Sequence, residues 1–208
     1  MNNQRKILRP LGAALIAMGI ATPALAQTTT VPTTGSWMLG ARVLGVYPSV
    51  SSSLSGLDVD DQWTGEIDST YFFTRNVALE SSITWAKQDV TYNGTSAGAL
   101  KMMPVTFALQ YFFTDLGAWR PYIGGGFNYT YFYENDLGNN AGASVDNDSW
   151  GGALQTGFDY QFGRNWYFNV DVKYLWINND IRLNATGGDI SSLDIDPWLF
   201  GVGVRYRF

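Results

Sequence analysis

The chain contains no histidine and no cysteine in its 208 residues. Without histidine there can be no Ser-His-Asp or Cys-His catalysis and no histidine-ligated metal. Without cysteine the fold has to hold together with no disulfide, whatever the redox state of its compartment. Basic residues are also scarce: 13 Lys and Arg stand against 18 Asp and Glu, a formal net charge of −5. That balance argues against a nucleic-acid partner, whose phosphates call for Lys and Arg. Long apolar runs are missing as well. Beyond residue 26 no stretch approaches 18 consecutive apolar residues, although hydrophobic residues make up 46% of the chain. A transmembrane helix needs such a run; a transmembrane strand does not.

The first residues have a character of their own. Arg5, Lys6 and Arg9 precede an apolar run from Leu11 to Ile20, and Ala24-Leu25-Ala26 follows as a small-x-small site. That order predicts a signal peptide over 1–26, cleaved after Ala26, since the run is too short to span a bilayer as a helix. Residues 1–26 hold three basic groups and no acid, so the remainder carries −8. Residues 27–36, rich in Thr, read as a flexible N-terminal segment, and 37–208 as one domain.

Within 37–208 the dominant pattern is alternation. Trp198, Phe200, Val202, Val204, Tyr206 and Phe208 alternate with Leu199, Gly201, Gly203, Arg205 and Arg207. Successive side chains of a strand point to opposite faces, so one face here is apolar and aromatic and the other small or charged. The pattern recurs at 166–176, 152–162, 121–133 and 104–113, and more weakly at 77–87, 62–72 and 37–47. These make eight strands. Short turns at 74–76, 114–120 and 163–165 alternate with long polar stretches at 48–61, 88–101, 134–149 and 178–194. Aromatics gather near strand ends, as a membrane-interface girdle would require. The reading is all-β: an eight-stranded antiparallel up-and-down transmembrane β-barrel. The rival is a soluble barrel with its faces reversed. The export signal and the aromatic excess, 15% of residues, favour the membrane.

Three stretches carry a family signature: Arg120-Pro121-Tyr122-Ile123-Gly124-Gly125-Gly126-Phe127-Asn128-Tyr129-Thr130, Asp148-Ser149-Trp150-Gly151, and Asp196-Pro197-Trp198 running to Tyr206-Arg207-Phe208. Together they resemble the outer membrane protein W (OmpW/AlkL-like) family from about Trp37 to Phe208. The resemblance implies a narrow eight-stranded barrel in the outer membrane of a Gram-negative bacterium, among its lipid and lipopolysaccharide. It implies passive passage of small hydrophobic molecules. It also makes Tyr206 and Phe208 part of a terminal signal for the barrel-assembly machinery.

The inward class departs from a purely apolar lumen. It contains Glu66, Asp68, Glu80, Asp159 and Asp171 with Arg42, Lys173, Arg205 and Arg207, a near-balance that predicts a salt-bridge network. Apolar inward candidates are Met38, Leu44, Val46, Phe112, Phe132 and Leu199. No catalytic, cofactor or metal residue is assigned. Asp58-Val59-Asp60-Asp61 lacks the rest of a Ca²⁺ loop, and Gly124-Gly125-Gly126 lacks the Lys-Ser/Thr of a phosphate loop. The alternative to a channel is a structural or surface-interaction barrel, its lumen plugged by charge and its loops binding partners.

Overall fold

The computed structural model describes residues 32–47, 50–52, 57–59, 62–92, 95–137, 143–145, 148–183 and 189–208. The predicted signal peptide and residues 27–31 lie outside these, as do Pro48, Asp60 and Asp61. Eight strands build the barrel: β1 (Trp37–Tyr47), β2 (Gln62–Phe72), β3 (Val77–Tyr92), β4 (Thr95–Phe112), β5 (Trp119–Leu137), β6 (Asp148–Gln161), β7 (Trp166–Leu175) and β8 (Trp198–Arg207). Each pairs antiparallel with its sequence neighbour, and β1 pairs with β8 from Met38↔Arg207 to Tyr47↔Trp198. The sheet therefore closes on itself. Closure pairs both edges, and hydrocarbon offers no other partner for them.

The direction of the alternation is settled by burial. Ile123, Leu154, Val202 and Val204 face outward and are about half exposed, while Arg42, Glu80, Lys173 and Arg205 are buried inside. A water-soluble barrel would have these reversed. Trp37, Trp63, Trp119, Trp150, Trp166 and Trp198 stand exposed near the strand ends. Such amphipathic rings sit well at the two headgroup levels.

Turn chemistry fixes the short connections. In the first, the Thr74 hydroxyl oxygen accepts from the Val77 amide at 2.9 Å, and the Phe73 amide donates to the Val77 carbonyl. The second turn contains Gly117 at φ +67°, a left-handed conformation that glycine adopts without steric cost. The Arg75 guanidinium of the first turn meets Asp115 of the second at 2.8 Å.

Four strands run past the predicted bounds. The polarity of 88–101 suggests a loop, yet the β3–β4 ladder continues through Lys87↔Lys101 to Tyr92↔Thr95. β5 and β6 extend outward in the same way, to Leu137 and from Asp148. The other long connections also hold strand. Val50–Ser52, Asp189–Ile195, Asn178–Leu183 and Ala143–Val145 form a separate four-stranded sheet at the long-loop end. Beyond the membrane both faces of a strand meet water, so pairing persists there without an apolar-polar alternation. Arg120, placed in a turn by its sequence context, belongs to β5 and is wholly buried.

Candidate functional site

The lumen is stratified. At the short-turn end, Met38, Phe72, Ala78, Phe112, Tyr122 and Tyr167 pack as an apolar floor. The rings of Phe72 and Phe112 lie 5.1 Å apart and those of Phe112 and Tyr122 5.0 Å. The Arg120 guanidinium stacks 4.7 Å from the Tyr167 ring centre and donates to Gln161 Oε1 at 3.0 Å. At the long-loop end a second apolar cluster holds Leu44, Val46, Ala86, Met102, Ala153, Leu175, Ile177 and Leu199. Between the two lies a layer of charge.

That layer follows from register. Arg42 lies opposite Glu66 in the β1–β2 ladder, and Gly40 lies opposite both Asp68 and Arg205. Glycine at 40 lets Asp68 and Arg205 meet over it: a Cβ there would sit 2.8 Å from the Cγ of each. Arg42 reaches Glu66 Oε1 at 2.8 Å, Glu80 Oε1 at 2.9 Å, Asp68 Oδ1 at 3.2 Å and Asp171 Oδ2 at 3.6 Å. Arg205 pairs with Asp68 at 3.2 Å, Asp159 at 3.5 Å and Glu80. Lys173 Nζ meets Glu66 Oε2 at 2.8 Å and Ser82 Oγ at 3.1 Å. These eight charged residues are each at most 4% exposed. Ions so far from water persist only when paired and hydrogen-bonded, and neutral groups complete the bonding. Gln110 donates to Glu80 Oε2 at 2.9 Å, Thr84 to Glu66 Oε2 at 2.9 Å, Asn169 to Asp159 Oδ1 at 2.8 Å, and the Tyr122 hydroxyl to Asp171 Oδ2 at 2.6 Å. Glu80 is the hub, bound by Arg42, Arg205, Lys173 and two glutamine amides.

Eight of the nine inward charges expected from sequence thus meet in one layer. Arg207, the last residue of β8, holds its half-buried guanidinium 5.9 Å from the Tyr167 ring at the barrel mouth. Among the apolar candidates, Leu44, Val46 and Leu199 sit in the upper cluster and Met38 and Phe112 in the floor. The side chain of Phe132 lies outside the described residues. Sequence reasoning missed Arg120, Tyr122, Tyr167, Gln110 and Asn169. Their parity was the available signal, since each shares the inward class of its strand.

The upper cluster borders a cavity of about 20 Å³ whose lining includes Thr84, Ala86, Met102, Pro104, Ile177 and Leu199. The wall beside it is incompletely laddered. The β3–β4 register is the same at Ile83↔Val105 and at Ala86↔Met102, but between them Thr84 and Trp85 make no ladder pair with Pro104 and Met103. Pro104 has no N–H to donate. Among the described residues no cluster of carboxylates is arranged to hold a metal ion.

Comparison with known proteins agrees with this architecture. The model of the OmpW family matches residues 34–208. Outer membrane protein W of Vibrio cholerae serotype O1 is 33% identical over 195 residues, covering 84% of this chain and 89% of that one. Outer membrane protein AlkL of Ectopseudomonas oleovorans is 26% identical, covering 73% and 69%. The crystal structure of the outer membrane protein OprG from Pseudomonas aeruginosa superposes with a TM-score of 0.71 at 29% identity, covering 85% of this chain and 97% of that one.

Proposed function

Since the chain belongs to the OmpW family and is a β-barrel of the Gram-negative outer membrane, we propose that it gives small hydrophobic molecules a passive route across that membrane. The observation that carries this reading is the pairing of an apolar upper lumen with an interrupted wall at Pro104. An apolar solute loses little by leaving water for the cluster around Leu44, Met102 and Leu199. It cannot continue along the axis, because passage would part the buried ion pairs below and leave their charges uncompensated. The gap between β3 and β4 offers a sideways exit into hydrocarbon, where fewer ladder bonds must part.

Uptake of an n-alkane by a strain lacking this protein, with and without the gene restored, tests the proposal. Restored uptake is expected. No gain would refute transport and leave the second reading, a structural or surface-interaction barrel. The sealed charge layer and the outer four-stranded sheet favour that alternative. No catalytic role is proposed, because the chain has no histidine and its buried carboxylates are engaged by cations. In the same proposal residues 1–26 are removed on export and 27–36 are a flexible lead-in. Lipopolysaccharide surrounds the outer half, and Tyr206 and Phe208 present the terminal signal to the barrel-assembly machinery.

A further inference from the structure

The lipid-facing wall is not smooth. A cleft of about 280 Å³ crosses β5, β6 and β7 and reaches the head of β8. Ile123, Leu154, Tyr174 and Trp198 rim it, over Thr156 and Val172. The register accounts for the hollow. Ile123, Thr156 and Val172 form one outward row, and Gly125, Leu154, Tyr174 and Trp198 the next. Thr156 and Val172 are short residues set among the longer Ile123, Leu154, Tyr174 and Trp198. The Thr156 hydroxyl is turned onto the ladder, donating to the Tyr122 carbonyl at 3.0 Å. The cleft therefore offers hydrocarbon and no free polar group.

Its course across the membrane is oblique. Ile123 is the fifth residue of β5 counted from the short-turn end, whereas Tyr174 and Trp198 lie at the long-loop end of their strands. Tyr174 is held there by donating to Asp196 Oδ2 at 3.2 Å, and its ring packs 4.9 Å from that of Trp198. Rings so placed mark the outer headgroup level. The hollow thus begins at the outer interface and descends through the apolar band. It is continuous with the surface that the barrel already presents to lipid. Left empty, its walls would forfeit dispersion contacts that the flat parts of the barrel make with their surroundings.

We infer that this cleft is a binding site for one acyl chain of an outer-leaflet lipid, its head end at Tyr174 and Trp198. The site is separate from the lumen and independent of any transport through it.

Photo-cross-linking tests this. The protein is folded into phosphatidylcholine vesicles doped with a phosphatidylcholine bearing a diazirine in one acyl chain, irradiated, and mapped by mass spectrometry. Labelling of 154–156 and 172–174 is expected several-fold above that of outward Leu39, Val43, Val202 and Val204. Thr156→Phe should remove the excess, and Val202→Phe, an equal addition on another part of the wall, should leave it. Val172→Phe serves as a second filling variant should Thr156→Phe fold poorly. Uniform labelling around the barrel overturns the inference, as does an excess that survives filling. Preferential capture of a free diazirine alkane over the labelled lipid also overturns it, because the cleft would then serve a solute.

Discussion

At the residue scale, the lumen rests on single groups with several partners. Arg205 serves Asp68, Glu80 and Asp159 at once. Arg205→Leu would leave three carboxylates short of a cation, a loss of about 3–5 kcal/mol for breaking a buried pair. A clear fall in the unfolding midpoint in detergent is expected, read from heat-modifiable gel migration. Asp171 holds a weaker position, with one ion contact at 3.6 Å and the Tyr122 hydroxyl at 2.6 Å. Asp171→Leu should therefore lower the midpoint less. Unchanged melting in both variants would remove the network's claim to stability. Gly157 makes space of another kind, since a Cβ there would run into the Val170 backbone carbonyl and sit 2.7 Å from the Tyr122 hydroxyl oxygen. Gly157→Val should destabilise by about 1–3 kcal/mol through overpacking. Tyr122→Ala should recover little of that loss in a double-mutant cycle, because the Val170 carbonyl still blocks the new side chain.

At the element scale, β4 is the strand on which the transport proposal turns. Pro104→Thr supplies the missing N–H and lets the β3–β4 ladder close opposite Thr84 and Trp85. Alkane uptake should fall several-fold, with thermal stability equal or higher. Uptake equal to wild type would place the exit elsewhere. Pro104 was legible as a ladder break from its identity alone. Its position beside the apolar cavity was not, because that depends on which residues of β1, β7 and β8 meet it across the barrel. Strand ends were the least legible feature. Alternation marks only the part of a strand that crosses hydrocarbon, so the extensions of β3 to Tyr92 and β5 to Leu137 carry no such signature.

At the scale of the whole molecule, a closed eight-stranded barrel leaves an interior just wide enough for side chains to fill. Here the filling is layered, apolar above and below and ionic between. In a planar bilayer the wild-type barrel should pass little ion current. Removing the hub and its two arginines together, with Arg42→Ala, Glu80→Ala and Arg205→Ala, should raise single-channel conductance several-fold if the barrel still forms. A current unchanged by all three would mean that the block lies in the aromatic floor around Phe72 and Phe112.

The sequence by itself determined the strand count, the antiparallel up-and-down order and which residues share a face, because a period of two is a local property of the backbone. It determined the outer-membrane setting through the quoted motifs, and the identity of the inward charges through parity. Only the tertiary structure decided that those charges form one buried layer around Glu80, that Arg120 lies buried against Tyr167 while Arg207 stays at the mouth, and that the ladder break at Pro104 adjoins a small apolar cavity. Each of these depends on register and on distances across the lumen. Such contacts join residues far apart in sequence, 127 positions in the case of Arg42 and Asn169, and no local pattern encodes them. The barrel that alternation foretold is thus filled in layers, with a cavity of only about 20 Å³ beside the upper apolar cluster.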